Sequence, residues 1–200
     1  WEMTAAGANA KQLSDLDKDI EGFGVSPKGD KAWYVQRIQV ADRRSSDVYK
    51  DMDKSKARIY DDLMARHWDY WDEGEYMHIF VGDFGPEGIK PGVDIIGAEA
   101  AWDAPLAPYF DMAEIAWSNA GDKLAYTCKP LTGTAYAVST DSDIFVYDLA
   151  TGETKNICKP LTGNSAAEGE ACLDLAEMAG YDKYPVWSPD DRKIAFLSQR

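Results

Sequence analysis

The densest group of side chains able to do chemistry is Arg66-His67-Trp68-Asp69-Tyr70-Trp71-Asp72-Glu73-Gly74-Glu75. Carboxylates can hold the α-ammonium group of a peptide, and indole rings can flank a neighbouring side chain. Arg66, Trp68, Asp69, Asp72 and Glu73 are therefore the candidate substrate-binding residues, with a peptide as the ligand. The plainer reading is the solvated end of a helix over a buried tryptophan pair.

A catalytic constellation is not visible. A nucleophile elbow needs Gly-x-Ser-x-Gly, and the nearest stretch, Gly163-Asn164-Ser165, continues as Ala166-Ala167. The sequence has no Gly-x-Gly-x-x-Gly, no P-loop and no His-Glu-x-x-His. Its two histidines are His67 and His78. His67 falls on the apolar stripe of an expected helix and His78 opens an expected strand, so both read as packed, hydrogen-bonded side chains. The three cysteines are Cys128, Cys158 and Cys172, an odd and low count that makes no disulfide framework. Cys128 and Cys158 each begin Cys-Lys-Pro-Leu-Thr-Gly and read as the ends of the second and fourth strands of one sheet. Strands two places apart lie about 9.5 Å from each other, too far for a disulfide. No Cys-x-x-Cys or paired histidine spacing points to zinc, and no cofactor or metal is implied.

The elements that must position these residues announce themselves by recurrence. Trp187-Ser188-Pro189-Asp190-Asp191-Arg192-Lys193-Ile194-Ala195-Phe196 reads as strand, tight turn and strand. The same order of apolar residue, Ser, three turn residues, polar residue, Lys and apolar run returns at Trp117-Ser118 to Tyr126 and at Val25-Ser26 to Tyr34. A hairpin repeated along a chain marks a repeat architecture. A second, Gly-centred hairpin supplies strands three and four of each unit. It is clear at 143–157 and has an echo at 4–13.

Four-stranded antiparallel units of about 45 residues read as β-propeller blades. The expected fold is all-β: a partial propeller with two full blades, two half blades and helical insertions. Residues 1–19 would end one blade. Residues 20–112 and 113–183 would each form a blade, and 184–200 would begin the next. Ile59, Leu63, Met64, His67, Trp68 and Trp71 fall at helical spacing, so residues 53–71 are expected to be a helix with Leu63, His67 and Trp71 on its buried side. A second, shorter helix is expected within 164–180.

Composition excludes several partners. The net charge of −14 repels nucleic acid and anionic membranes, and no apolar run reaches the length of a membrane span. The chain begins Trp1-Glu2-Met3, which reads as a start inside a longer protein.

The Trp187 to Phe196 hairpin resembles the propeller repeat shared by the translocation protein TolB and the prolyl oligopeptidase family of serine peptidases. Tyr60-Asp61-Asp62-Leu63-Met64-Ala65-Arg66-His67-Trp68-Asp69-Tyr70-Trp71, followed by His78-Ile79-Phe80-Val81, is similar to an insertion of the dipeptidyl-peptidase and acylaminoacyl-peptidase branch. So is Asp148 to Ile157 leading to Gly180-Tyr181-Asp182-Lys183-Tyr184-Pro185-Val186-Trp187. A comparison of Ser188 to Ala195 with the sialidase Asp-box fails: Arg192 stands for its Gly and Ala195 for its Trp.

The resemblance implies a non-catalytic propeller portion of a serine exopeptidase. Such a portion caps an α/β-hydrolase domain of the same chain, gates entry and helps recognise the peptide's N-terminal end. A periplasmic or secreted location goes with it. None of the family's Ser-Asp-His triad can be placed on these residues. The alternative is a TolB-like propeller that binds another protein. A homodimer is a further expectation, since two copies would build a ring of about six blades.

The 200-residue chain is expected not to hydrolyse peptides, because nothing in it reads as an activated nucleophile. Turnover of dipeptidyl or acylaminoacyl reporter substrates that a serine-directed inhibitor abolishes would overturn this.

Overall fold

The computed structural model describes residues 1–107, 111–158 and 180–199. The expected helix within 164–180 and Cys172 lie outside them.

Two antiparallel meanders and a hairpin form the scaffold. The first meander runs through β1 (Gly22–Val25), β2 (Lys31–Gln39), β5 (Glu75–Gly85) and β7 (Val93–Asp94). Between β2 and β5 lie a short helix α1 (Ser45–Val48) and the two-residue strands β3 (Arg66–His67) and β4 (Tyr70–Trp71). A further short strand, β6 (Gly88–Ile89), pairs with the end of β5. The second meander is β8 (Ile115–Trp117), β9 (Lys123–Cys128), β10 (Asp143–Asp148) and β11 (Thr154–Asn156), with helix α2 (Gly133–Val138) between β9 and β10. The hairpin is β12 (Tyr181–Trp187) with β13 (Ile194–Gln199). The strands expected at 22–25, 31–40, 78–82 and 143–148 are therefore present. β12 begins three residues before the expected start at Tyr184.

The repeated Ser and Lys close each turn in one way. The Ser26, Ser118 and Ser188 N–H groups donate to the Lys31, Lys123 and Lys193 carbonyls at 2.8, 3.0 and 2.8 Å. The same serine Oγ atoms accept from the lysine N–H groups at 3.2, 3.0 and 2.9 Å. Each hydroxyl donates in turn to a carboxylate, that of Asp30, Asp122 or Asp190. The third turn carries Arg192 where the others carry Asp30 and Asp122, and Asp190, two residues earlier, takes over the acceptor role. One position needs a positive φ in all three turns: Gly29 at 71°, Gly121 at 65° and Asp191 at 57°. Gly is at no disadvantage there, and Asp is among the few side chains that tolerate it. The lysine side chains reach across to the third strand. Lys31 Nζ lies 2.6 Å from Asp83 and Lys123 Nζ 2.7 Å from Asp148, each the directly opposed residue.

Strand alternation sorts side chains to the two faces of each sheet. Trp33, Val35, Met77 and Ile79 leave the first sheet on one side and meet Ile115, Leu124, Tyr126 and Tyr147 of the second. From the opposite face of the second sheet, Ala125 and Ile144 meet Trp187, Ile194 and Phe196. Residues 14–20 cover the outer face of the first sheet through Leu16 and Ile20, against Tyr34 and Phe80. Burying one such Ile or Leu completely contributes roughly 1.5–3 kcal/mol.

Two hydrogen bonds tie the sheets in a fixed order. Trp117 Nε1 donates to the Gly24 carbonyl at 3.1 Å, and Trp187 Nε1 donates to the Ala116 carbonyl at 3.1 Å. Each tryptophan precedes the turn serine of its own unit. Each acceptor lies two residues before the turn serine of the unit before. The Asp191 carboxylate adds a bridge between turns, accepting from the Asn119 and Ala120 N–H groups at 2.8 and 2.7 Å.

Two expectations need correction. Residues 53–71 are not helical. They hold a β-bridge from Arg44 to Arg58 and the β3–β4 hairpin, and Leu63 and Trp71 are exposed. The reason is lateral pairing: Ile59 donates to the Arg43 carbonyl at 2.8 Å and Ser45 to the Ala57 carbonyl at 3.0 Å. These bonds draw the backbone away from the i to i−4 pattern. Residues 4–13 carry no strand pair. Glu2 and Lys11 exchange two backbone hydrogen bonds in an isolated bridge, and the residues around them are exposed.

The turn geometry predicts unequal costs. Ser118 is fully buried and satisfies the N–H groups of Asp122 and Lys123. Ser118→Ala is expected to destabilise by about 1–3 kcal/mol, and Ser188→Ala, at a more open turn, by about 1 kcal/mol or less. Urea unfolding monitored by tryptophan fluorescence measures both, and equal costs would contradict the reading.

Candidate functional site

The segment between β2 and β5 stands on two anchors. One is its own sheet: Gly74, at φ 77°, accepts from Val40 at 2.9 Å. A Cβ on Gly74 would stand 1.9 Å from the Ala41 carbonyl oxygen, so no other residue fits. The other anchor is the second meander. The Asp62 carboxylate accepts from the Leu63 N–H at 2.7 Å and from the Thr134 hydroxyl at 2.8 Å, at the start of α2. The Leu63 N–H, then Thr134, holds that carboxyl below the usual carboxylate range.

Within these anchors, arginines and aromatic rings stack in layers. Tyr60 and Trp71 lie with centroids 6.2 Å apart and nearly parallel. Arg58 and Arg66 face the Trp71 ring at 5.4 and 5.7 Å, and Arg43 faces the Tyr60 ring at 5.7 Å. Such contacts contribute roughly 0.5–1 kcal/mol each where exposed.

The carboxylates of the expected cluster take different places. Asp72 receives Arg43 at 3.0 Å, the Tyr76 hydroxyl and, at 2.8 Å, the Gly74 N–H. Glu73 is held by Arg58 and, at 3.4 Å, by Arg44. The Arg58 guanidinium keeps the Glu73 carboxyl below the usual carboxylate range. Asp69 is exposed at the tip of the β3–β4 hairpin beside Trp68, whose φ is 51° and which is 67% exposed. The Trp68 ring meets His67 edge-on at 5.5 Å. Arg66 and Tyr70 are exposed on the same hairpin. The structure thus brings Arg66, Trp68 and Asp69 together at an open tip, with Asp72 and Glu73 one layer below on their arginines. Arg43, Arg44 and Arg58 were missed by sequence reasoning. The clue available was the alternation of arginines with aromatics on either side of Asp53.

His78 is a packed histidine. It is fully buried, with Nδ1 2.8 Å from Asp94 Oδ2 and Nε2 2.9 Å from the Ala100 carbonyl. Cys128 and Cys158 are both free and buried. Burial pushes the Cys128 thiol far up, which makes it a poor nucleophile.

The Asp94 carboxyl gives a pH prediction. Burial acts to raise it, but His78 and the Ile96 and Gly97 N–H groups win, and it lies below the usual carboxylate range. A depressed folded-state value means the stabilisation is full above the unfolded carboxylate range. It is lost as pH falls through the folded value. Stability should therefore fall on acidification below about pH 4. Asp94→Asn is expected to cost about 1–3 kcal/mol at neutral pH and to flatten this acid limb. Urea midpoints from pH 3 to 7 measure it; an unchanged acid limb in the variant would contradict the assignment.

No family model matches the chain. The chain is 37% identical over 179 residues to dipeptidyl-peptidase 5 of Porphyromonas gingivalis, an alignment that takes in 90% of this chain and 23% of that protein. It is 33% identical over 192 residues to dipeptidyl-peptidase 5 of Porphyromonas endodontalis, covering 96% of this chain and 25% of the relative. A probable dipeptidyl-peptidase 5 of Arthroderma benhamiae is 24% identical over 198 residues, with 94% and 26% covered. The chain thus spans about a quarter of the length of the curated relatives it matches, and what it resembles is one stretch of a dipeptidyl peptidase.

Proposed function

We propose that this chain is a non-catalytic propeller portion of a serine exopeptidase of the prolyl oligopeptidase family, and that it gates and helps recognise peptide substrates. The observation that carries this reading is the similarity to dipeptidyl-peptidase 5 over 90% of the chain. The fold supports it. Two successive four-stranded antiparallel meanders and a third hairpin meet face to face, each joined to the one before by the same tryptophan hydrogen bond. That is how propeller blades bury faces they cannot bury alone.

In this reading the β3–β4 tip is the recognition element. Trp68 offers a ring to a substrate side chain and Asp69 a carboxylate to its α-ammonium group, while Arg66 faces Trp71 beneath them. Asp72 and Glu73 act mainly by fixing the arginine and aromatic layers that carry the tip. Loops on a rigid sheet scaffold are suited to such work.

The test uses the complete peptidase that carries this segment. Trp68→Ala with Asp69→Asn is expected to raise KM for dipeptidyl reporters by about 5–50-fold, equivalent to roughly 1–2.3 kcal/mol, with kcat nearly unchanged. Unchanged KM would remove the recognition role. A parent protein with no serine-dependent peptidase activity would remove the whole reading.

A further inference from the structure

Among the described residues, Asp143, Cys158 and Asp182 form one group of buried side chains whose ligand atoms all lie within 4.8 Å of one another. They come from three elements. Asp143 opens β10, Cys158 follows β11, and Asp182 is the second residue of β12. The group therefore sits at the junction between the second meander and the third hairpin, away from the β3–β4 tip. All three residues are at most 2% exposed.

The surroundings are built to hold these side chains in place. Ser142 donates its N–H to the Gly180 carbonyl at 2.9 Å, and Asp182 donates its N–H to the Ser142 carbonyl at 3.1 Å. The Ser142 hydroxyl donates to the Asp182 carbonyl at 3.0 Å. Asn156 serves two of the three: its Nδ2 donates to Asp143 Oδ2 at 2.8 Å, and its Oδ1 accepts from the Cys158 N–H at 2.9 Å. The Ile144 N–H points at Cys158 Sγ from 3.3 Å. Against this ordered background, Asp182 Oδ1 has no N–H or O–H donor although its residue is 1% exposed, and the side chain that bonds the Asp182 carboxylate is the neighbouring Cys158 thiol. A buried carboxylate oxygen normally finds a donor or a cation.

We propose that Asp143, Cys158 and Asp182 supply three ligands of a site for a divalent transition metal of the zinc type, with water in the fourth position, which staples the third hairpin to the second meander. The donor set carries the choice of metal. A thiolate with two carboxylates suits borderline-soft Zn²⁺, whereas Ca²⁺ and Mg²⁺ take oxygen ligands alone. Ligand atoms around tetrahedral zinc stand roughly 3.5 Å apart, so side-chain rotations of about 1 Å close the group on an ion. Asn156 would be the outer partner that orients the ligands. Binding forms metal–sulfur and metal–oxygen bonds and releases the Cys158 thiol proton to solvent.

The experiment titrates the intact, reduced and chelator-treated chain with Zn²⁺ alone and with Co²⁺ alone. One equivalent of each should bind. Co²⁺ should give a thiolate charge-transfer band in the near ultraviolet, and saturating Zn²⁺ should raise the melting midpoint by roughly 5–10 °C. Cys158→Ser should abolish the band, and Cys128→Ser should keep it. Asp182→Asn, a near-isosteric change checked for folding by circular dichroism, should weaken Zn²⁺ binding at least tenfold. The proposal is overturned if no stoichiometric binding occurs, or if the band survives Cys158→Ser or is lost only in Cys172→Ser. Wild-type affinity in Asp182→Asn would also overturn it.

Discussion

The stacking of the sheets depends on where a tryptophan N–H can reach. Trp117 and Trp187 each stand just before a turn serine, and each donates to a backbone carbonyl of the preceding unit. An indole is large enough to cross the gap between two packed sheets and has only one donor to place. Once that donor is satisfied, the first strand of one sheet is set against the first strand of the next. The faces then close over Leu124, Tyr126, Ile79 and Val35 on one side and over Ile144 and Ala125 on the other. Gly24, whose carbonyl accepts the first of these bonds, has no room for a side chain: a Cβ there would lie 2.5 Å from Trp33 Nε1.

The segment between β2 and β5 follows a different principle. It has little apolar core of its own. Arginine planes and aromatic rings alternate, and carboxylates fill the remaining positions on the guanidinium groups. Arginine suits this because its planar fork stacks on a ring and bonds a carboxylate at the same time. The charge of the layer is nearly balanced, unlike the strongly acidic chain around it. The pairing of Asp62 with Thr134 joins it to the second meander. The segment that carries the hairpin is thus tied to both meanders, while Trp68 and Asp69 are exposed to solvent.

The helix expected at 53–71 fails for an instructive reason. Apolar residues at helical spacing state only that a stripe exists if the segment is helical. Here Arg43 and Ala57 offer carbonyls to Ile59 and Ser45, and the rings find guanidinium partners instead of a groove. Arg43 and Ser45, the lateral partners of Ile59 and Ala57, both lie outside residues 53–71. Helix α2 was missed in the opposite way. Gly133–Val138 is short and buries none of its side chains, so it leaves no apolar stripe to read.

By itself the sequence determined the local chemistry of the repeat. Ser, a residue that accepts positive φ, and Lys recur at fixed offsets, and their hydrogen bonds close within six residues. Strand positions, turn geometry and alternating faces follow from such short-range rules. Tertiary structure alone decided what meets across the sheets. Asp143, Cys158 and Asp182 are 15 and 24 residues apart along the chain, a spacing without a motif, yet they share one buried point. Arg43, Arg58 and Glu73 likewise become one layer only when β2 and β5 are paired. A local hydrogen bond is encoded by neighbours in sequence. A convergence of distant side chains depends on the packing of whole sheets, which no single stretch of the chain contains.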